Sequence, residues 1–254
     1  MTGTLPATPR WDGAVNARHL AGDIYRMGRS EWVTEAGWQQ AYDDGVRTVI
    51  DLRNPGERQR RATDPVVSEQ ALARFAVVHC PTEDPDNAEF HRICGPYLSH
   101  PRLYADNLRL FPALIASVFR AIAGAQGSII VHCSAGRDRT GLIATLLLRL
   151  AGADNGCIVR HYEMGMRGIN EWRGVSRIPH PYERHLAEDE LAALLSDRLS
   201  SLREFADGLE VEAFLLRNGV STDEVALLRS RLAGSVPRPS ASQFSPRIER
   251  PNGH

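Results

Sequence analysis

Residues 127–141 read Gly127-Ser-Ile-Ile-Val-His-Cys-Ser-Ala-Gly-Arg-Asp-Arg-Thr-Gly141. The string divides into strand, tight loop and helix. Ser128 to His132 is a short apolar run rich in β-branched residues and bounded by Gly127, as in a buried strand. After Thr140 comes a long apolar run that suits a buried helix, stopped at Gly152. Cys133 and Arg139 stand between the two, with five residues separating them. A helix N-terminus offers unpaired N–H groups and partial positive charge, so a loop running into it can cradle a phosphate. Gly136 permits a tight curl, and the amides of Ser134, Ala135, Gly136, Arg137, Asp138 and Arg139 can point inward as an anion nest. Arg139 can add a bidentate fork. Cysteines at such positions fall to a pKa of roughly 3.5–7.5, which predicts a Cys133 thiolate, an activated nucleophile toward phosphorus.

Outward from this stretch, strands alternate with helices. Thr34 caps a predicted helix over 35–44 that ends at Gly45. Val46 to Arg53 reads as a strand, and Arg74 to Cys80 as another, ended by Pro81. Residues 102–123 have helical periodicity, with Pro112 as a kink or as the true start. Asp154 caps a helix to about Met164, and Glu171 to Pro181 is loop-like. Further helices are expected over 188–205, 210–217 and, from the capping box Ser221-Thr-Asp-Glu224, to Leu232. The pattern predicts an α/β fold with a largely parallel central sheet flanked by helices, plus added C-terminal helices. The expected organisation is a flexible arm over 1–13, a main domain over 14–234 that includes a helical cover from about 186, and a disordered tail over 235–254.

The chain has 254 residues, a hydrophobic content of 43%, a charged content of 24% and a net charge of −1. These values suit a globular protein and recommend neither nucleic acid nor an anionic membrane as partner. Four cysteines make no disulfide framework. No secretory signal or membrane-spanning run is read, so the expected setting is cytoplasmic. No metal-ligand cluster appears, and no cofactor is expected.

The string His132-Cys-Ser-Ala-Gly-Arg-Asp-Arg-Thr140 resembles the signature loop of the cysteine-dependent protein tyrosine phosphatase superfamily. Its Ala-Gly-x-Asp-Arg-Thr-Gly form is similar to a bacterial and fungal branch, typified by a secreted mycobacterial enzyme, that also acts on phosphoinositides. That branch usually has Lys where this chain has Arg137; the charge is kept, but a planar fork replaces a compact ammonium. The Asn16-to-Gly22 segment and Asp51-Leu-Arg53 resemble two further family motifs. The resemblance implies a phosphomonoester hydrolase working through a phosphocysteine, with phosphotyrosine or inositol-lipid substrates and dual specificity. It leaves unconventional secretion open.

In that scheme Cys133 attacks, and Arg139 and the loop amides hold the equatorial oxygens. Asp138 is the first choice of general acid, its pKa raised beside the phosphate. Asp84, in the acidic loop after the third strand, is the second. Thr140 can donate to the sulfur, His132 tunes the thiolate from behind, and Asp51 orients Arg139 or braces the loop. Arg26 and Arg29 can face a phosphate or lie on the surface. The basic run at 57–61 can steer polyanionic head groups or be a solvated face, and Cys80 is the best-placed partner for a protective disulfide. Two other readings stay open: a phosphate-binding module without turnover, and a rhodanese-like sulfurtransferase, which also carries a Cys and an Arg in a tight loop.

Overall fold

The computed structural model describes residues 8–176 and 183–233. Five strands form one sheet: β1 (Arg18–Ala21), β2 (Ile24–Met27), β3 (Val46–Asp51), β4 (Ala76–His79) and β5 (Ser128–His132). Their order is β1-β2-β5-β3-β4, with β1 antiparallel to β2 and every other pairing parallel. The strand before the signature string is therefore central, and its carboxyl end opens where parallel α/β sheets place their ligands. Strand β2 is internal, because β1 covers its outer side.

Among the described residues ten α-helices follow in chain order: α1 (Glu35–Asp43), α2 (Glu69–Leu72), α3 (Ala88–Cys94), α4 (Tyr104–Leu110), α5 (Pro112–Gly124), α6 (Asp138–Leu150), α7 (Asn155–Val175), α8 (Glu188–Asp207), α9 (Val211–Arg217) and α10 (Thr222–Leu232). Side-chain alternation along β5 divides the core. Ile129 and Val131 face α5 and α6, while Ile130 packs with Met27, Val49, Trp38 and Phe75 on the other side. Leu142, Ile143, Leu146 and Leu147 of α6 are fully buried, each stabilising the fold by about 1.5–3 kcal/mol. This helix is thereby fixed under the loop that precedes it.

Pro112 marks a true helix start. The chain turns by 95° between the segment ending at Leu110 and α5, because Pro lacks the N–H that a continuous helix needs. Helix α7 runs eleven residues past the expected end at Met164, through Val175. Its last turns are held by tertiary contacts: the Trp172 and Trp32 rings lie 4.1 Å apart, and Asn170 bonds both N–H and C=O of Leu186. The rest of the expected loop, 177–182, lies outside the described residues.

The C-terminal cover is continuous with the main core, since Leu191, Leu195, Leu215 and Leu228 join the cluster of Val131 and Leu142. At the other end, the expected arm is packed from Trp11 onward. That ring is 4% exposed and its N–H bonds Asp44 at 2.7 Å. Residues 1–7 and the tail beyond 233 lie outside the described residues. Among the described residues no single helix is long and apolar enough to cross a membrane.

Candidate active site

The loop from Cys133 to Asp138 leaves β5 and enters α6. Gly136 has φ of +65°, and a Cβ there would lie 2.4 Å from the Met27 carbonyl oxygen, so only glycine fits the curl. The loop carbonyls are pinned outward one after another. Ser134 O accepts from the Arg29 amide (2.9 Å), Ala135 O from Asn16 Nδ2 (3.0 Å) and Gly136 O from Arg26 Nη2 (2.7 Å). Arg137 O also faces Arg26 Nη2 (3.5 Å), and Asp138 O accepts from Tyr104 Oη (2.9 Å). Turning the carbonyls out leaves the amides to face the bowl, as an anion nest requires.

The Asn16, Arg26 and Tyr104 side chains of this outer ring were not readable as such. Asn16 is, among the described residues, the non-glycine residue with positive φ, 61°, a conformation that Asn tolerates and that marks functional positions; the signal in the sequence was its place at the head of the Asn16-to-Gly22 segment. Arg26 and Arg29 do not face the bowl. Arg26 lies behind the loop, and Arg29 pairs with Asp64 (2.7 Å) and Glu31 (3.2 Å).

Cys133 and Arg139 line one cavity of about 460 Å³. Gly56, Glu57 and Gln59 also line it, with the exposed Arg60 and Arg61 at its rim, as do Tyr97, Leu98 and Ser99. A larger hollow of about 670 Å³ beside α9 contains neither cysteine nor histidine. Arg139 is 5% exposed and forms a bidentate pair with Glu57, Nη1 to Oε2 at 2.5 Å and Nη2 to Oε1 at 2.6 Å. That end-on fork leaves the Nε edge of the guanidinium for a second, side-on fork. Glu83 approaches Arg139 Nη1 at 3.5 Å. Burial pushes the Glu83 carboxyl up to about 7 against the pull of Arg139.

Asp51 does not touch Arg139. It grips Arg53 at 2.9 and 2.8 Å, Arg53 grips Glu31, and Glu31 meets Arg29, whose amide holds Ser134 O. Asp51 thus braces the loop through a buried chain, while Glu57 and Glu83 orient Arg139. Burial opposes the Asp51 charge, but the Arg53 bonds outweigh it and hold the carboxyl down at about 2. His132 Nδ1 donates to Cys133 O at 3.2 Å, and burial lowers the ring's pKa, so it stays neutral. Thr140 Oγ1 is buried without a partner.

Asp138 lines the cavity, yet its carboxylate is fully engaged. Arg137 Nε donates at 2.6 Å, Tyr162 Oη at 3.1 Å and Arg198 of α8 at 3.2 Å. Burial works against the charge, but Arg137 and Arg198 prevail and hold the carboxyl below its ordinary value. This is opposite to the direction expected for an acid, because the adjacent Arg137 turns back onto the carboxylate and Arg198 reaches it from α8. Arg137 also binds Glu183 at 3.0 Å, so its charge is balanced rather than bare. Asp84 is exposed and accepts from the Asp86 amide; its neighbour Glu83 is the one turned inward. Cys80 follows His79, and Cys133 follows His132, on the two strands flanking Asp51 of β3. Two strand spacings, about 9–10 Å, exceed a disulfide's reach, and both thiols are free. Among the described residues no metal-binding cluster of His, Cys, Asp or Glu occurs.

Fold and loop together define a class: a parallel α/β sheet presenting a cysteine-centred anion nest at its carboxyl edge. Residues 10–234 match the family model described as the tyrosine phosphatase family, and the chain belongs to that family. It is 28% identical over 172 residues to a Cupriavidus necator protein named as a tyrosine-protein phosphatase, covering 59% of this chain and 55% of that one. It is 54% identical over 46 residues to a tyrosine-protein phosphatase of Nostoc commune, covering 18% and 16%. The chain thus spans about half or less of the length of these curated relatives. Among solved structures, TpbA of P. aeruginosa matches with a TM-score of 0.44 at 18% identity, covering 81% of this chain and 92% of TpbA. A TpbA variant in complex with pTyr matches at 0.43 and 16%, covering 82% and 92%.

Proposed function

We propose that the chain is a cysteine-dependent phosphomonoester hydrolase acting on phosphotyrosine, on phosphoinositides, or on both, through a phosphocysteine. The outward-pinned carbonyls of the loop between Cys133 and Arg139 carry this reading, because they leave inward amides where a phosphoryl group gains charge. Cys133 Sγ attacks phosphorus in line, and the bond to the leaving oxygen breaks. The amides and the Nε edge of Arg139 hold the equatorial oxygens. Asp138 is the acid. A bound dianion beside its carboxylate raises the proton affinity that Arg137 and Arg198 depress, and the proton passes to the leaving oxygen. Water then cleaves the thiophosphate, returning thiol and phosphate. Thr140 Oγ1 has a free proton for the departing sulfur. Arg60 and Arg61 on the rim favour substrates with charge beyond the reacting phosphate, as an inositol lipid or acidic phosphopeptide has.

An assay with a small aryl phosphate tests the reading. Wild-type turnover that is lost in Cys133→Ser supports it. Phosphate binding without turnover would instead mark a binding module, and turnover of thiosulfate a sulfurtransferase.

A further inference from the structure

Arg18 and Arg26 stand directly opposite each other on β1 and β2. They are 4% and 1% exposed, and both extend behind the loop toward α7. Arg26 Nη2 holds Gly136 O. Arg18 Nη1 donates to Asn16 Oδ1 at 2.6 Å and to Met164 O at 3.1 Å. Helix α7 makes room for both: a Cβ on Gly165 would lie 3.1 Å from Arg18 Nη2 and 3.2 Å from Arg26 Nη2.

Neither guanidinium forms an ion pair with any carboxylate among the described residues. Arg18 Nε and Nη2 and Arg26 Nε have no hydrogen-bond partner among the described residues. The other buried arginines around the loop, Arg29, Arg53, Arg137 and Arg139, each have a carboxylate. Two like charges in one dry space, without a counter-ion, are costly to bury. Burial, and for Arg18 the neighbouring Arg26, lower the proton affinity of both groups. His161 of α7, kept neutral beside them, supplies no compensation. The acidic group nearest in kind, Asp138, is already shared by Arg137 and Arg198.

We propose that Arg26, supported by Arg18, is a positioning residue whose charge acts from behind the nest as the counter-charge for the dianion bound in front. Gly136 is the link: Arg26 holds its carbonyl on the outer side while the loop amides face the anion. The paired arginines in front orient groups at no net charge. The rear pair supplies the positive field that the bowl otherwise lacks, and it costs stability until an anion enters. The assignment rests on the nest binding a phosphoryl group.

The test is calorimetric titration of tungstate, a tetrahedral dianion, and of perrhenate, a tetrahedral monoanion, into the full chain. Arg26→Gln removes the charge and, two bonds shorter, also releases Gly136 O; tungstate affinity should fall about tenfold or more, and by a larger factor than perrhenate affinity. Arg26→Lys keeps the charge and should stay within about threefold of wild type. Arg18→Gln, which leaves Arg26 on Gly136 O but loosens Asn16, should weaken tungstate by about threefold or more, again by a larger factor than perrhenate. The assignment is overturned if Lys and Gln at position 26 weaken binding equally, if Arg18→Gln binds as wild type, or if Arg26→Gln weakens tungstate and perrhenate by the same factor. A wild type that binds no tungstate overturns both the nest and this role; normal wild-type binding with unaffected variants overturns this role alone.

Discussion

The loops after β5 and β4 leave the same edge of the sheet and meet at Arg139, but they are built by different rules. The β5 loop is local. Cys133, Gly136, Asp138 and Arg139 lie within seven residues, and a helix start and one positive φ shape it. The β4 loop, from Thr82 to Asn87, is oriented by distant partners. Leu98 N–H holds Glu83 Oε2 at 3.0 Å and turns that carboxyl toward Arg139, so Asp84 is left to an exposed turn with Asp86. A local loop can be recognised by its spelling. A loop fixed by tertiary bonds can show which residue types are present but not which one faces the site.

Breaking the β5 side should have the larger effect. Asp138→Asn should slow turnover of substrates with poor leaving groups by about 10²-fold or more and of good ones far less. Equal slowing of both would make Asp138 a brace for Arg137 and Arg198 rather than the acid. On the β4 side, the effect of Glu83 is on stability. Its folded pKa, about 7, is raised above the ordinary glutamate value, so its contribution is complete below about pH 4.5 and is lost as pH rises through 7. The wild-type melting midpoint should decline over that window by an amount worth up to about 3 kcal/mol. Glu83→Gln should flatten the decline; an unchanged slope would assign the pH dependence to other groups. Asp84→Asn should be the mildest, with turnover and stability within about twofold of wild type, because its carboxylate bonds within its own turn. A large loss of activity there would return the acid to the β4 loop.

The same distinction explains what was legible. The parallel sheet, the helix from Asp138, the Thr34, Asp154 and Ser221 caps and the break before Pro112 all follow from short-range chemistry. Their residues act within a turn or two of themselves. Glu57 on Arg139, Arg198 on Asp138 and Asn16 on Ala135 join residues 82, 60 and 119 positions apart, and no periodicity announces them. Asp51 shows the middle case. The motif marked it as important, but its grip on Arg53 routes its influence to Ser134 and away from Arg139. Helix α7 was read short for the same reason, since Asn170 and Trp172 are kept helical by Leu186 and Trp32.

The central claim is that the Cys133 sulfur takes the phosphoryl group. Acid quenching during the first turnover of an aryl phosphate, followed by peptide mapping, locates the transferred phosphorus. The account predicts phosphate on Cys133 in the wild type and none in Cys133→Ser. Phosphate on another side chain, or turnover that persists without Cys133, would contradict it.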